Sequence, residues 1–233
     1  MNKVVIGNNN FVNIIIAALT FLFFVLFFFP KIDINFSKLF YINGEFIYKK
    51  NCFAIFIFKS IPMLTKGFVA VIILIFFYSL LSVNFRLISI SLFFLLSAAI
   101  APGLLVNEVF KNHFGRSRPD NVKEFGGKHE FTKPLTISKS CKKNCSFSSG
   151  HASMGYYFTS LSYLFIKRNR TFKLTFSLFF LFGSLVGLIR IMQGRHFLSD
   201  VIFSASITLL TTHIISFFLL KYENKEINQQ KLL

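Results

Sequence analysis

Acidic residues are scarce in this chain. Its 233 residues contain 9 Asp and Glu against 26 Lys and Arg, which gives a formal net charge of +17. Charged residues make up only 15% of the sequence, whereas hydrophobic residues make up 54% and the mean hydropathy is +0.60. This composition excludes a disordered polymer and an ordinary soluble domain. The excess of cations favours an anionic lipid as partner, and we expect neither nucleic acid nor an obligate protein partner.

Cysteine is also scarce. Cys52, Cys141 and Cys145 are too few for a disulfide framework, and no spacing of Cys and His resembles a zinc site, so we expect no metal and no cofactor. Cys141 and Cys145 are four residues apart in a polar segment. They form a local disulfide if that segment faces an oxidising compartment and are free thiols otherwise, and the sequence leaves both alternatives open.

Apolar runs of membrane-spanning length take up most of the chain. We predict six transmembrane helices, at residues 11–29, 67–83, 87–109, 151–166, 173–189 and 197–220. The intervening residues 31–66 are predicted to be interfacial or re-entrant, because their apolar stretch 53–58 is too short to cross a bilayer. Pro102-Gly103 predicts a kink in the third helix. The expected fold is therefore a single all-α polytopic domain over residues 1–233, a six-helix bundle with a polar tail at 221–233.

The longest polar segment, residues 110–150, is the expected catalytic loop. An even number of predicted crossings separates it from residues 190–196, so both face one side of the membrane and the active site is expected there. Within it, Lys111 and Arg118 are seven residues apart and could share one helix face, where they would hold the oxygens of a phosphate. A cationic anchor at the membrane interface would explain the pair equally.

A second polar cluster stands where the fourth predicted helix begins. Gly150 and the free N–H groups of a helix start suit an anion, and His151 can carry a proton at neutral pH. The alternative is that Ser148 or Ser149 only caps the helix.

The third polar cluster joins the last two predicted helices. His196 and Asp200 are four residues apart, so on a helix the carboxylate can hold the imidazole in one tautomer. An Asp inside an apolar span is expensive to bury without a partner. A structural ion pair of Asp200 with Arg190 or Arg195 is the alternative explanation.

Together, the three clusters resemble the signature of the type 2 phosphatidic acid phosphatase superfamily, which also includes vanadium haloperoxidases. That signature reads Lys-x6-Arg-Pro, then Pro-Ser-Gly-His, then Ser-Arg-x5-His-x3-Asp. The matching residues are Lys111, Arg118, Pro119, Ser149, Gly150, His151, Arg190, His196 and Asp200. Ser148 stands where the family has Pro, and Ile189 where it has Ser.

The resemblance implies a metal-independent phosphatase with a phosphohistidine intermediate. His196 is similar to the family nucleophile, Asp200 to its orienting partner and His151 to the general acid. The resemblance also implies a cradle for the phosphate oxygens, formed by Lys111, Arg118, Arg190, Ser149 and the Gly150 amide.

Residues 115–127 and 141–151 are similar to the bacterial lipid A phosphatase branch and its close lipid phosphatase relatives. The resemblance implies a phosphorylated membrane lipid as substrate, with lipid A the favoured one. Undecaprenyl diphosphate, phosphatidylglycerophosphate and transfer to a second lipid are the alternatives, and a non-catalytic anion binder or transporter is the distant one.

We expect a bacterial inner-membrane protein whose active site faces the periplasm. The positive-inside rule indicates the opposite, because 17 of the 26 basic residues lie on that side. Four loop cations could meet a second phosphate or remain solvated: Arg116, Lys123, Lys142 and Lys143.

Overall fold

The computed structural model describes residues 3–220, with side chains from residue 9 onward. The chain there is mostly helical, with one short hairpin. In chain order its elements are α1 (Lys3–Phe28), α2 (Lys31–Lys38), β1 (Tyr41–Ile42), β2 (Glu45–Phe46), α3 (Cys52–Leu81), α4 (Phe85–Ala98), a π-helix (Ala99–Phe110), α5 (Lys111–His113), two 3₁₀ turns (Pro119–Asn121 and Lys123–Phe125), α6 (Gly150–Tyr157), a 3₁₀ helix (Phe158–Phe165), α7 (Asn169–Met192) and α8 (Leu198–Leu219). The predicted polar tail at 221–233 lies outside the described residues.

Five helical segments are long and apolar enough to cross a membrane. They are Asn9–Phe28, Cys52–Leu81, Phe85–His113, Asn169–Met192 and Leu198–Leu219. Large apolar side chains on their outer faces are exposed, among them Leu81 at 85% and Phe21 at 72%. Because lipid surrounds such faces in place of water, this exposure is that of a membrane protein. The predicted all-α polytopic fold is confirmed.

The fourth predicted helix, 151–166, is two helices in series. Gly150–Tyr157 is α-helical and Phe158–Phe165 is 3₁₀, eight residues each. At rises of about 1.5 and 2.0 Å per residue, the two pieces together span roughly 28 Å. That length approaches the roughly 30 Å hydrocarbon core of a bilayer. The 3₁₀ stretch therefore lets a short segment cover a membrane thickness.

The prediction for residues 31–66 is wrong in its second half. Helix α3 begins at Cys52, where the Asn51 side chain accepts a hydrogen bond from the backbone N–H of Ala54 at 3.2 Å. The apolar stretch 53–58 is thus the first part of a 30-residue span and not an interfacial piece. Lys59 interrupts the apolar pattern, and its exposed side chain lines a cavity.

The irregularity predicted at Pro102-Gly103 is present as π-helical turns. Pro102 has no N–H to donate to the preceding turn, and the chain is π-helical over Ala99–Phe110. The Pro102 carbonyl instead accepts a hydrogen bond from Nδ2 of Asn107 at 2.6 Å. A Cβ added at Gly150 would lie 2.4 Å from Oδ1 of Asn107. The π-helix thus packs directly against the start of α6.

The hairpin of β1 and β2 anchors the catalytic loop to the bundle. Its turn, Asn43-Gly44, has positive φ at both residues (52° and 81°), the combination favoured in two-residue hairpins. Phe46 of β2 is buried against Phe125 in the loop and Phe197 before α8. Three distant stretches of the chain therefore share one small apolar cluster beside the third polar motif.

Polar side chains and glycines contribute to the contacts between the central helices, together with an apolar core. Ser153 of α6 and Thr208 of α8 share a buried hydrogen bond of 2.8 Å. A Cβ added at Gly155 would lie 2.9 Å from Cα of Gly183, so α6 and α7 approach closely there. Small residues and hydroxyl groups at helix contacts are the usual means of association in lipid.

Candidate active site

His196 is buried just before α8, and its protonation state is set by its surroundings. Its Nδ1 lies 2.7 Å from the carbonyl oxygen of Ser146, so Nδ1 carries the proton and Nε2 keeps a lone pair. Burial lowers the pKa of His196 to about 4, although Asp200 opposes the shift. The imidazole is therefore neutral at pH 7 and can act as a nucleophile.

Asp200 lies behind His196, in the first turn of α8. Its Oδ2 accepts hydrogen bonds from the Ser146 hydroxyl at 2.6 Å and from the Phe197 backbone N–H at 2.8 Å. The same oxygen is 3.7 Å from Nδ1 of His196, so it would face the positive charge if the imidazole became protonated. The sequence prediction of a His196–Asp200 contact is met, but the hydrogen bond that fixes the tautomer goes to Ser146.

Arg116 neutralises Asp200 from its other side. The guanidinium donates from Nη1 to Oδ1 of Asp200 at 2.5 Å and from Nη2 to Oδ2 of Asp33 at 2.9 Å. Arg116 is 1% exposed and Asp33 is fully buried. Burial alone would lower the pKa of Arg116, but these two carboxylates raise it above its ordinary value, so the guanidinium is charged.

This arrangement corrects two expectations from the sequence. Arg116 is not a solvated or head-group cation, because it is enclosed in the protein. The partner of Asp200 is Arg116 and neither Arg190 nor Arg195. Asp33, from α2 in the segment expected to be interfacial, also accepts from the backbone N–H of Ser199 at 2.8 Å. One carboxylate therefore ties α2, the loop and α8 together.

His151 lies at the start of α6 and rests against α3. Its ring stacks on Phe58 with centroids 4.7 Å apart. Its Nε2 is 3.1 Å from the backbone carbonyl oxygen of Phe58, and the Nε2–H donates a hydrogen bond to that oxygen. That carbonyl is available because Pro62, four residues later, has no N–H to bond with it. The proline inside α3 thus creates the acceptor that orients His151.

A cavity of about 400 Å³ brings the three polar clusters together. Its walls include both histidines and the three predicted phosphate ligands: His151, His196, Lys111, Arg118 and Arg190. Further lining residues, which sequence reasoning did not identify, are Lys49, Ile55, Phe58, Lys59, Asn144, Gln193 and Arg195. Such a convergence of cations is expected where an anion binds.

The three cations reach the cavity by different routes. Arg190 is buried at the end of α7, stacks on Phe58 with its guanidinium carbon 4.7 Å from the ring centroid, and donates to Oε1 of Gln193. Its Nε has no hydrogen-bond partner in the described part of the chain. Lys111 opens α5, which ends at His113, so Lys111 and Arg118 do not share a helix face as predicted. A turn after α5, with Gly115 at φ +61°, brings Arg118 back to the cavity.

Ser149 and Gly150 lie next to the cavity but not in its wall. The Ser149 hydroxyl accepts from the Ala152 backbone N–H at 3.4 Å and so caps α6, which is the structural alternative considered above. Ser148, at the position where the family has Pro, is buried and donates to the Val106 carbonyl at 3.4 Å. Ser148 and Ser149 therefore stabilise the start of α6, and neither hydroxyl lines the cavity.

The cysteines of the loop form a disulfide, Cys141–Cys145. Between them, the Asn144 carbonyl accepts a hydrogen bond from Nη2 of Arg118 at 2.8 Å. The crosslink therefore supports the Asn144 carbonyl, which holds Arg118 in the cavity wall.

Cys52 is a free, exposed thiol. Within residues 3–220, no three side chains of His, Cys, Asp or Glu are grouped in a way that could hold a metal ion.

Comparison with known proteins agrees with this geometry. The family model of the PAP2 superfamily matches residues 90–223. The chain is 33% identical over 217 residues to a lipid A 4'-phosphatase of Francisella tularensis subsp. novicida, covering 91% of this chain and 96% of that protein. A lipid A 4'-phosphatase of Rhizobium leguminosarum is 38% identical over 104 residues, or 44% of this chain and 43% of that protein.

A crystal structure of a transmembrane PAP2-type phosphatidylglycerolphosphate phosphatase from Bacillus subtilis has a similar fold. The TM-score is 0.56 at 21% identity, covering 88% of this chain and 96% of that one. Fold and site together define a membrane phosphatase that acts on a phosphate monoester. The chain belongs to the PAP2 superfamily. The family resemblance inferred from the three clusters is confirmed.

Proposed function

We propose that this protein removes a phosphate from lipid A through a phosphohistidine formed on His196. One observation carries the proposal: a neutral, buried imidazole lines the same cavity as Lys111, Arg118 and Arg190. A binding protein would need the cations alone. The fixed Nδ1–H and the free lone pair on Nε2 are what a nucleophile requires.

In the first step, Nε2 of His196 attacks phosphorus and forms a P–N bond. The P–O bond to the lipid breaks, and the leaving oxygen takes a proton from His151. Burial and the neighbouring Arg190 lower the pKa of His151 to about 3 in the free protein, so the negative charge of the bound phosphate must raise it before His151 can donate. Lys111, Arg118 and Arg190 stabilise the charge on the equatorial phosphate oxygens as it develops. Asp200 stabilises the positive charge that His196 acquires.

In the second step, water attacks the phosphohistidine. Neutral His151 accepts the proton of this water, the new P–O bond forms, and the P–N electron pair returns to Nε2 of His196. Inorganic phosphate and the dephosphorylated lipid leave, and both histidines regain their starting protonation. Three fixed cations supply the charge that metal ions supply in other phosphoryl-transfer enzymes, so we expect activity in the presence of EDTA.

Two features support a lipid as the donor of the phosphate. Ile55 and Phe58 of α3 form one side of the cavity, and other apolar residues of the same helix, such as Phe56, are exposed on the bundle surface. A lipid can therefore present its head group without leaving the bilayer. The names of the Francisella and Rhizobium relatives favour lipid A, and its 4'-phosphate, as the substrate.

The disulfide supports an active site on the periplasmic side of the membrane. Such bonds persist in the bacterial periplasm and are rare in the cytosol. Cys141–Cys145 belongs to the loop that carries Arg118 and Asn144, so the compartment of the loop is also that of the site. We therefore assign the excess of basic residues on this face to phosphate binding and not to cytoplasmic orientation.

The test is mass spectrometry of mixed micelles containing lipid A, phosphatidylglycerophosphate and undecaprenyl diphosphate, incubated with the purified protein in EDTA. We expect loss of one phosphate from lipid A, and none with the His196→Ala variant as blank. Loss from another of the lipids would correct the substrate. Equal loss with His196→Ala would overturn the mechanism, and restoration of activity only by added metal would overturn the metal-free chemistry.

A further inference from the structure

A second polar cavity adjoins the catalytic one. It has a volume of about 280 Å³ and lies under the disulfide loop. Arg118, Asn144 and Arg195 belong to the walls of both cavities, so the two spaces are neighbours separated only by these side chains. A molecule whose phosphate occupies the first cavity can therefore extend into the second.

The charge of the second cavity is positive. Arg118, Lys143 and Arg195 line it, and its walls contain neither Asp nor Glu. Arg195 is already paired with Asp120 at 3.3 Å, and Arg118 donates to the Asn144 carbonyl. Lys143 has no acidic partner among the described residues, so it is the cation most available to an incoming anion.

Apart from Cys141, the remaining lining residues carry hydroxyl and amide groups, which suit a sugar. They come from Ser117, Asn121, Ser140 and Asn144. The Ser117 hydroxyl is buried, and over residues 3–220 it has no hydrogen-bond partner. Buried polar groups are normally satisfied, so an unpaired hydroxyl in a cavity wall indicates a missing partner such as a ligand hydroxyl or phosphate oxygen.

We propose that this second cavity binds the part of the head group that is not cut: a sugar bearing a second anionic group. The inference rests on the proposed lipid A phosphatase function and explains how the site would distinguish a phosphorylated saccharide lipid from a simple phospholipid. The catalytic cavity binds the phosphate that both kinds of lipid carry. The second cavity binds the sugar and its second anionic group, which only the saccharide lipid carries.

Lys142 and Lys143 provide a matched pair of variants to test this. Both are exposed loop lysines, but only Lys143 lines the cavity. The measurement is kcat/KM for bis-phosphorylated lipid A, for its mono-phosphorylated form and for phosphatidic acid, a monoester with no sugar. We expect Lys143→Ala to lower the ratio of the two kcat/KM values, lipid A over phosphatidic acid, about fivefold to tenfold, as for loss of one ordinary hydrogen bond at an exposed site. Lys142→Ala should leave the ratio unchanged.

The outcomes separate the two proposals. If the wild type hydrolyses lipid A but Lys143→Ala and Asn121→Ala keep its substrate ratio, the second-cavity inference is wrong and the proposed function stands. If the wild type hydrolyses phosphatidic acid and not lipid A, the proposed function fails and the inference with it. A loss in Lys143→Ala that is equal for the two forms of lipid A would assign the cavity to the sugar without a second phosphate, and would overturn that part of the proposal.

Discussion

Nη1 of Arg116 donates to Oδ1 of Asp200 at 2.5 Å, while Oδ2 of the same carboxylate lies 3.7 Å from Nδ1 of His196. Asp200 thus lies between a fixed cation and His196, the proposed nucleophile. Because Arg116 is held in turn by Asp33, the position of Asp200 depends on a residue in α2. Arg116 does not line the cavity that contains His196, so in the proposed mechanism it is a positioning residue and not a ligand of the phosphate.

We expect Arg116→Lys to lower kcat and to leave KM nearly unchanged. Lysine keeps the charge but offers a compact ammonium in place of a planar fork, so it cannot serve Asp33 and Asp200 together. Arg116→Ala should be worse, since removing one partner of a buried ion pair costs about 3–5 kcal/mol of stability. The measurement is kcat and KM with the thermal midpoint recorded for each variant.

The matched control for Arg116→Lys is Arg168→Lys, at an exposed arginine in the turn before α7. It should behave as the wild type. Asp33→Asn should lower kcat as well. In the double variant with Arg116→Lys, the fold-loss in kcat should be smaller than the product of the fold-losses in the two single variants, because both residues belong to one network. A fully active, stable Arg116→Lys protein would contradict the positioning role.

Phe58 contacts two residues of the proposed active site, His151 by stacking and Arg190 through its ring face. We expect Phe58→Leu to fold normally, because the change conserves apolar character, and to lower kcat/KM roughly tenfold through loss of contacts of about 0.5–1.5 kcal/mol each. Phe56→Leu on the exposed face of the same helix is the control. Equal activity of the two variants would show that the aromatic face has no role.

The three polar clusters could be found from sequence because each is compact. Their internal spacings place Ser149 and His151, or His196 and Asp200, within one helical turn. The fold then only had to bring the clusters to one membrane face, which the number of spans determines. Local pattern was therefore sufficient to select five residues that line one cavity: Lys111, Arg118, His151, Arg190 and His196.

The network behind Asp200 could not be found in the same way. Asp33 and Arg116 are 83 residues apart, and no periodic pattern connects them. One signal was available: an Asp in a chain with only 9 acidic residues, next to an apolar span, needs a partner. The start of α3 was misplaced because the apolar stretch 53–58 is too short to cross a bilayer by itself, whereas in the structure it continues through Lys59 and Lys66 as one helix.

Reduction of Cys141–Cys145 should weaken the enzyme without unfolding it. The crosslink closes only a short loop, so its effect on global stability is limited, but Asn144 inside that loop holds Arg118. We expect Cys145→Ser, or treatment with dithiothreitol, to raise KM by a few fold. Cys52→Ser should be neutral and should leave the sensitivity to dithiothreitol intact. Wild-type KM in Cys145→Ser would refute a role for the disulfide in binding.

The tautomer and charge of His196 can be measured without turnover. In protein labelled with ¹⁵N-histidine, the His196 signals, assigned by their absence in His196→Gln, should show a protonated Nδ1 and an unprotonated Nε2 at pH 7, because Nδ1 faces the Ser146 carbonyl. Since burial lowers the pKa of His196 to about 4, the second nitrogen should stay unprotonated until the pH falls well below 5, and protonation there should abolish nucleophilic attack. A free histidine peptide in the same sample should titrate near the ordinary value of about 6.5. A midpoint for His196 equal to that of the peptide would mean that the imidazole is not sequestered, and the neutral nucleophile would then have to be created by substrate binding.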